Sequence, residues 1–178
     1  MKASRLSFVA LITCASTAVL ISCSEQSPVG VNQHSTPAPS ASLVGSLLQH
    51  TGLLACTPQP YDSATRIIGP GGGTIQVSGY TLSIPRGALT HRVRITAVAP
   101  TGTVNLVQFQ PQGLIFQQSA QLTMSYANCG LLGALLPKHI AYTDNQLNIL
   151  ELLTGVTDLL HKTETAKIGH FSGYAVAY

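Results

Sequence analysis

Tryptophan is absent from this chain of 178 residues, and only four phenylalanines and six tyrosines occur. Any core must therefore rest on valine, isoleucine and leucine. No Cys-x-x-Cys pair occurs, and the six histidines (His34, His50, His91, His139, His161 and His170) show no paired metal-ligand spacing. A zinc site of the familiar kind is thereby excluded, and no metal or cofactor is expected. No Gly-x-Ser-x-Gly elbow is present, which removes the common hydrolase signature. The acids Asp62, Asp144, Glu151, Asp158 and Glu164 are scattered, so no facing pair marks a glycosidase. No long helical pattern separates the apolar runs, which excludes a parallel α/β sheet. No repeat of solenoid length is present.

The N-terminus carries a different signal. Lys2 and Arg5 precede Leu6–Ile21, LSFVALITCASTAVLI, a run with no charge. A short basic start followed by such a run is a secretory signal rather than folded structure. It is shorter than the ~20 apolar residues that a spanning helix needs. It ends Leu20-Ile21-Ser22-Cys23, which resembles the lipobox of bacterial lipoproteins. The resemblance implies removal of residues 1–22 and acylation of Cys23. Thr13-Cys14 is a poorer site, because too little apolar run precedes it. Ser24 after the cysteine is similar to the sorting signal for the outer membrane. Several acyl chains on Cys23 hold a protein stably at a bilayer, where one holds it marginally.

Processing changes the charge argument. The whole chain has nine basic and six acidic residues, net +3. Lys2 and Arg5 leave with the signal and no acid does, so seven bases remain against six acids, net +1. A nucleic-acid partner is therefore not expected. Of the four cysteines, Cys14 is removed and Cys23 is lipidated, leaving Cys56 and Cys129 in an oxidising compartment. A Cys56–Cys129 disulfide is the expectation.

Residues 24–42, SEQSPVGVNQHSTPAPSAS, are serine- and proline-rich with no apolar period. With Cys23 they are expected to form a disordered tether, spanning roughly 25 Å on average. Residues 43–64 form an apolar lead-in. Leu43, Leu47, Leu48 and Leu54 can share one helical face, although Gly45 and Gly52 weaken a helix. The segment either lies on the membrane or packs on the domain, held by Cys56.

Beyond Thr57 the period becomes two. Apolar–polar alternation runs through Thr74–Ser78, Tyr80–Ile84, Val93–Val98, Val104–Gln110, Leu114–Gln117 and Leu122–Tyr126. It continues through His139–Thr143, Leu147–Leu152, Thr165–Ile168 and Phe171–Ala177. Half-buried strands have this period. The expected fold is all-β: an antiparallel β-sandwich of about nine short strands. Residues 130–137, GLLGALLP, break the alternation as a short helical turn or an apolar loop. An exposed patch there marks a contact surface, and a buried one caps the sandwich.

Four segments carry a resemblance. They are Ile68-Gly-Pro-Gly-Gly-Gly-Thr74-Ile75, Leu82-Ser-Ile-Pro85-Arg-Gly-Ala-Leu89, Pro111-Gln-Gly-Leu-Ile-Phe116 and His170-Phe171-Ser172-Gly173-Tyr174. In this order and spacing they resemble the ZU-five domain, a β-sandwich of ankyrins, netrin receptors and death-domain scaffold proteins. The likeness covers residues 65–178. It implies a sandwich used for contact with protein partners. The glycines have a physical reading of their own. Gly71–Gly73 suit a turn before a strand, and no Gly-Lys-Ser/Thr follows to hold phosphate. Pro85 ends a strand because it lacks the N–H that a ladder needs.

In some ZU-five domains the His-Phe-Ser triplet is a self-cleavage site. The resemblance places the matching bond at Phe171–Ser172. Serine is a weak nucleophile and needs a base. Imidazole titrates near neutral pH, so His170 suits that role. On an extended strand His170 and Ser172 share one face, and Phe171 takes the other and anchors in the core. The plainer role is the start of the last strand, with no reaction. Arg86, His91, Arg92 and Arg94 form a small basic cluster, read as a solvated strand face with phosphate or lipid contact as the rival. The expected function is a lipid-anchored binding or structural module at the cell envelope, meeting a protein or glycan. A metabolic enzyme is not expected.

Overall fold

The structure is a computed structural model that describes residues 52–130 and 135–178. The signal segment 1–22, Cys23, the tether and residues 43–51 lie outside the described residues, as do 131–134. The described residues are all-β. In chain order the strands are β1 (Ala55–Gln59), β2 (Asp62–Ile68), β3 (Gly73–Val77), β4 (Tyr80–Ile84), β5 (Val93–Ala99), β6 (Gly102–Val104) and β7 (Leu106–Gln110). Then come β8 (Ile115–Ser125), β9 (His139–Thr143), β10 (Ile149–Leu153), β11 (Gly155–Asp158), β12 (Thr163–His170) and β13 (Gly173–Ala177).

Thirteen strands thus stand among the described residues where the period-two runs predict about nine. The surplus is in short or edge strands whose side chains face water on both sides. β2 (DSATRII) buries only Ile68 fully, and β6 and β11 have no buried residue. Leu114–Gln117 and Leu122–Tyr126 belong to one long strand, β8, with three exposed residues at its middle. The sheets also begin ahead of residue 65, with β1 and the first half of β2.

Three antiparallel sheets result. One has six strands in the order β10-β9-β13-β7-β5-β2, one has five in the order β11-β12-β8-β4-β3, and β1 pairs with β6. Alternation aims one face of each large sheet inward. In β5, Val93, Ile95, Ala97 and Ala99 are buried while Arg94 is exposed. Ile75, Tyr80, Leu82, Leu122 and Met124 meet them from the five-stranded sheet in one continuous core. A smaller core lies apart from the main one, formed by Leu53, Leu106, Ala141, Ala175 and Ala177. All of β13 is consequently buried.

Two of the glycine- and proline-rich motifs dock on each other. Gly72, at φ +77°, donates its N–H to Gly69 O at 2.9 Å. A Cβ at this position would sit 2.9 Å from the Arg86 nitrogen, so a side chain is strained there twice over. Gly87 N–H donates to Pro70 O at 2.8 Å. GPGGGT therefore works as a turn seated on the Pro85–Gly87 turn.

The Cys56–Cys129 disulfide is present and ties β1 to the segment after β8. Beside it, Asn105 Nδ2 donates to Asn128 Oδ1 at 2.8 Å, and Asn128 Nδ2 donates to Thr57 O at 2.7 Å. Leu53 and Leu54 are both buried, so this end of the lead-in packs on the domain.

Candidate functional site

The polypeptide crosses from the five-stranded to the six-stranded sheet between β12 and β13, at His170-Phe171-Ser172. The triplet is thus a corner joining the two sheets rather than the start of the last strand. Phe171 is 1% exposed and stacks on Phe109 at 5.1 Å, with Phe116 edge-on at 5.0 Å. The adjoining His170 and Ser172 line a cleft of about 410 Å³.

Two stretches distant in sequence complete this cleft. Gln112 and Gly113 come from the β7–β8 connection with Ile115 opening β8, and the β9–β10 hairpin supplies Tyr142 to Asn145 and, from β10, Leu150. The corner is clamped through its backbone. Phe171 N–H donates to Leu114 O at 2.8 Å, Gly113 N–H donates to Phe171 O at 3.0 Å, and Phe109 N–H donates to Ser172 O at 3.0 Å. Gly113 holds φ +73°, the left-handed turn conformation that glycine takes at no steric cost.

Hydrogen bonding fixes the tautomer of His170. Tyr174 Oη lies 2.6 Å from His170 O and 2.9 Å from His170 Nδ1. The phenol has one proton, and a carbonyl can only accept, so that proton goes to His170 O. Nδ1 must then donate to the phenol oxygen, which leaves the Nε2 lone pair free. The imidazole also packs edge-on against Tyr142, with centroids 4.8 Å apart. No hydrogen bond joins His170 to Ser172 among the described residues.

Asp144 is occupied by its own turn. Its Oδ1 accepts N–H of Gln146 at 2.9 Å and of Asn148 at 2.8 Å, and Oδ2 accepts Asn148 Nδ2 at 2.8 Å. The bonds from Asn148 hold the carboxyl below its usual range, so it stays ionised and builds the turn. Thr143, 1% exposed, is the only residue with a buried side-chain polar atom lacking a partner among the described residues. It faces Gly173 across the sheet, where a Cβ would come within 3.2 Å of its hydroxyl.

The cleft is therefore lined by His170, Ser172, Gln112, Asn145 and the turn-bound carboxylate of Asp144. Ile115 and Leu150 border it, at 71% and 54% exposure. Its lining contains no lysine or arginine. Such a surface suits a neutral, hydrogen-bonding ligand with an apolar side. Among the described residues no group of three or more His, Cys, Asp or Glu is placed to hold a metal ion. Arg86, His91, Arg92 and Arg94 are exposed. None of them pairs with a carboxylate, the one ion pair among the described residues being His161–Asp158.

Sequence reasoning singled out the triplet and the Pro111–Phe116 segment that holds Gln112, and it read Asp144-Asn145-Gln146 as a hairpin turn, but only the topology brings these pieces together at His170. It also placed Glu164 among the scattered acids. Glu164 is 1% exposed inside the sandwich and accepts the Thr157 hydroxyl.

Burial raises the Tyr174 phenol well above its ordinary range, aided by the charges of Tyr142 and Glu151. Burial also pushes Tyr80 up to about 12. Both groups hold their proton more tightly folded than unfolded. Their contribution to stability is complete below the unfolded value of 10.0 and falls away as pH rises through about 12. A spectrophotometric alkaline titration should show the ionisation of Tyr80 and Tyr174 only as the fold opens.

Models of known protein families give no match to this chain, and no curated protein matches it. What the residues define is an antiparallel β-sandwich with a polar cleft at one sheet-to-sheet corner.

Proposed function

We propose that this chain is a lipid-anchored module of the cell envelope, moored through Cys23 at the outer membrane and binding a protein or glycan partner. The likeness to ZU-five domains is part of that proposal and rests on its motifs. The observation that carries the binding reading is the cleft and its border. Exposed Ile115 and Leu150 flank the hydrogen-bonding groups of the cleft, whose one carboxylate, Asp144, is spent on its own turn, and exposed Leu152 continues from Leu150 along β10. β10 is an edge strand of its sheet. Edge strands ordinarily carry charge or proline against unwanted pairing. β10 exposes Leu150 and Leu152 on either side of its one charge, Glu151, and such leucines mark a surface meant for contact.

A photo-crosslinker at Asn145, within the cleft, tests this. It should give one discrete product with envelope material, diminished at least tenfold by Leu150→Asp. Labelling indifferent to Leu150→Asp would contradict the cleft as the binding surface. The anchor has its own test: metabolic labelling with a fatty-acid probe should mark the chain and miss the Cys23→Ala variant.

A second reading has one specific observation behind it. Gly113 N–H already donates to the carbonyl of Phe171, where negative charge would develop if Ser172 Oγ attacked. In that reaction the Oγ–C bond forms and the Phe171–Ser172 C–N bond breaks. The hydroxyl proton passes through His170 Nε2 to the departing amine, and water then hydrolyses the ester. Denaturing mass spectrometry decides: loss of a peptide covering residues 172–178, abolished by Ser172→Ala, supports self-cleavage, and an intact chain sinks it.

A further inference from the structure

The end of the sandwich opposite the cleft exposes leucines that the fold does not use. The first pair stands on the β11–β12 turn. Asp158 Oδ1 accepts N–H of Leu160 at 2.9 Å and of His161 at 3.0 Å, and Oδ2 meets His161 Nδ1 at 2.7 Å. Lys162 completes the turn at φ 52°. This framework holds Leu159 and Leu160 outward, at 72% and 85% exposure. The second pair is Leu135 and Leu136, just before β9, at 82% and 39%.

Tyr126 joins the two places. Its N–H donates to Lys162 O at 2.9 Å and its hydroxyl to Asp158 O at 3.4 Å. Lys138 Nζ lies 5.2 Å from the centre of its ring and donates to Leu136 O. Behind Tyr126, Cys129 is fastened to Cys56. Both leucine pairs therefore stand on fixed supports. The exposed cation beside them is Lys162, while Lys138 is buried under the tip. Asp158 is committed to its turn, and Glu164 is buried beneath.

The described chain begins at this same end. Leu53 bridges to Ala177, Ala177 pairs with His139 at the start of β9, and Tyr178 N–H donates to Gly52 O. Between Cys23 and Gly52 there are 28 residues. A chain of that length spans at most about 95 Å when fully extended. A domain moored at Cys23 can therefore set this end on the bilayer.

We propose that Leu135, Leu136, Leu159 and Leu160 dock into the lipid–water interface of a bilayer with anionic headgroups, as a second membrane contact beside the anchor. Apolar side chains at a fixed tip, with a lysine such as Lys162 beside them to reach the headgroups, are what such an interface takes up. The facing of the domain rests on the anchoring reading; the chemistry of the tip does not.

Because the chain has no tryptophan, one introduced residue reports its own depth. The full chain carrying Leu160→Trp is added to phosphatidylethanolamine–phosphatidylglycerol vesicles with brominated acyl chains. Its emission should shift to the blue and be quenched at least threefold. Thr90→Trp, on the exposed loop at the cleft end, should be unaffected. Adding Leu135→Asp and Leu159→Asp to the Leu160→Trp chain should abolish the quenching. Equal quenching at both ends, or none at position 160, overturns the proposal. So does a blue shift without quenching that accompanies a dimer, which would assign the tip to a second copy. Fatty-acid labelling of the same preparations separates the two claims. A labelled chain unquenched at position 160 sinks the tip and keeps the anchor, and an unlabelled chain quenched there does the reverse.

Discussion

Phe171→Ala is expected to lower the stability of the domain by about 3–5 kcal/mol, the usual cost of removing a buried aromatic ring. The ring is 1% exposed and sits between Phe109 and Phe116. No tryptophan is present to fill the space, and the neighbours are held in paired strands, so the cavity cannot close. The same residue supplies the backbone groups that Gly113 and Leu114 bind. Loss of the ring should therefore loosen the corner along with stability, and reduce the binding proposed for the cleft. Urea denaturation followed by circular dichroism measures the first effect. A change below about 1 kcal/mol would mean that the triplet does not anchor the crossing between sheets.

Removal of the disulfide should have an effect of similar size. Cys56 and Cys129 are 73 residues apart. Closing such a loop restricts the unfolded chain by about 4 kcal/mol in the chain-entropy model. A Cys56→Ala, Cys129→Ala double variant, or the reduced protein, should lose most of that. The loss should be concentrated where the bond acts. β1 pairs only with the three-residue β6, so hydrogen exchange should rise first in Ala55–Gln59 and in Tyr126–Cys129. Uniform protection after reduction would contradict the clamp.

The all-β class was legible because strands buried on one face write their burial into the sequence. Val93–Ala99 alternates without exception, and so do Thr74–Val77 and Thr163–Ile168. Strands with little to bury write nothing. β2 shows water to nearly every side chain and is set by its register with β5, from Asp62↔Ala99 to Ile68↔Val93. The last run, Phe171–Ala177, was legible as a strand, but its burial on both faces was not: β13 has a core on each side, so Gly173–Ala177 shows no alternation of exposure at all.

The candidate site was half legible. His170 and Ser172 stood out as residue types, and the core role of Phe171 followed from strand geometry. The partners could not be read. Tyr174 lies four residues on and looks like one more strand aromatic, yet its hydroxyl sets which imidazole nitrogen is free. Gly113 and Asn145 reach the cleft only because β7, β9 and β13 are neighbours in one sheet. The apolar run 130–137 was read as either a cap or a contact surface. Leu135 and Leu136, its described leucines, are exposed, which favours contact.

The intact mass of the chain extracted from membranes by detergent tests the central claim most directly. The account predicts a polypeptide starting at Cys23, heavier by its acyl groups, with Cys56 and Cys129 oxidised. A chain that keeps Met1 to Ser22 and carries no lipid would contradict it.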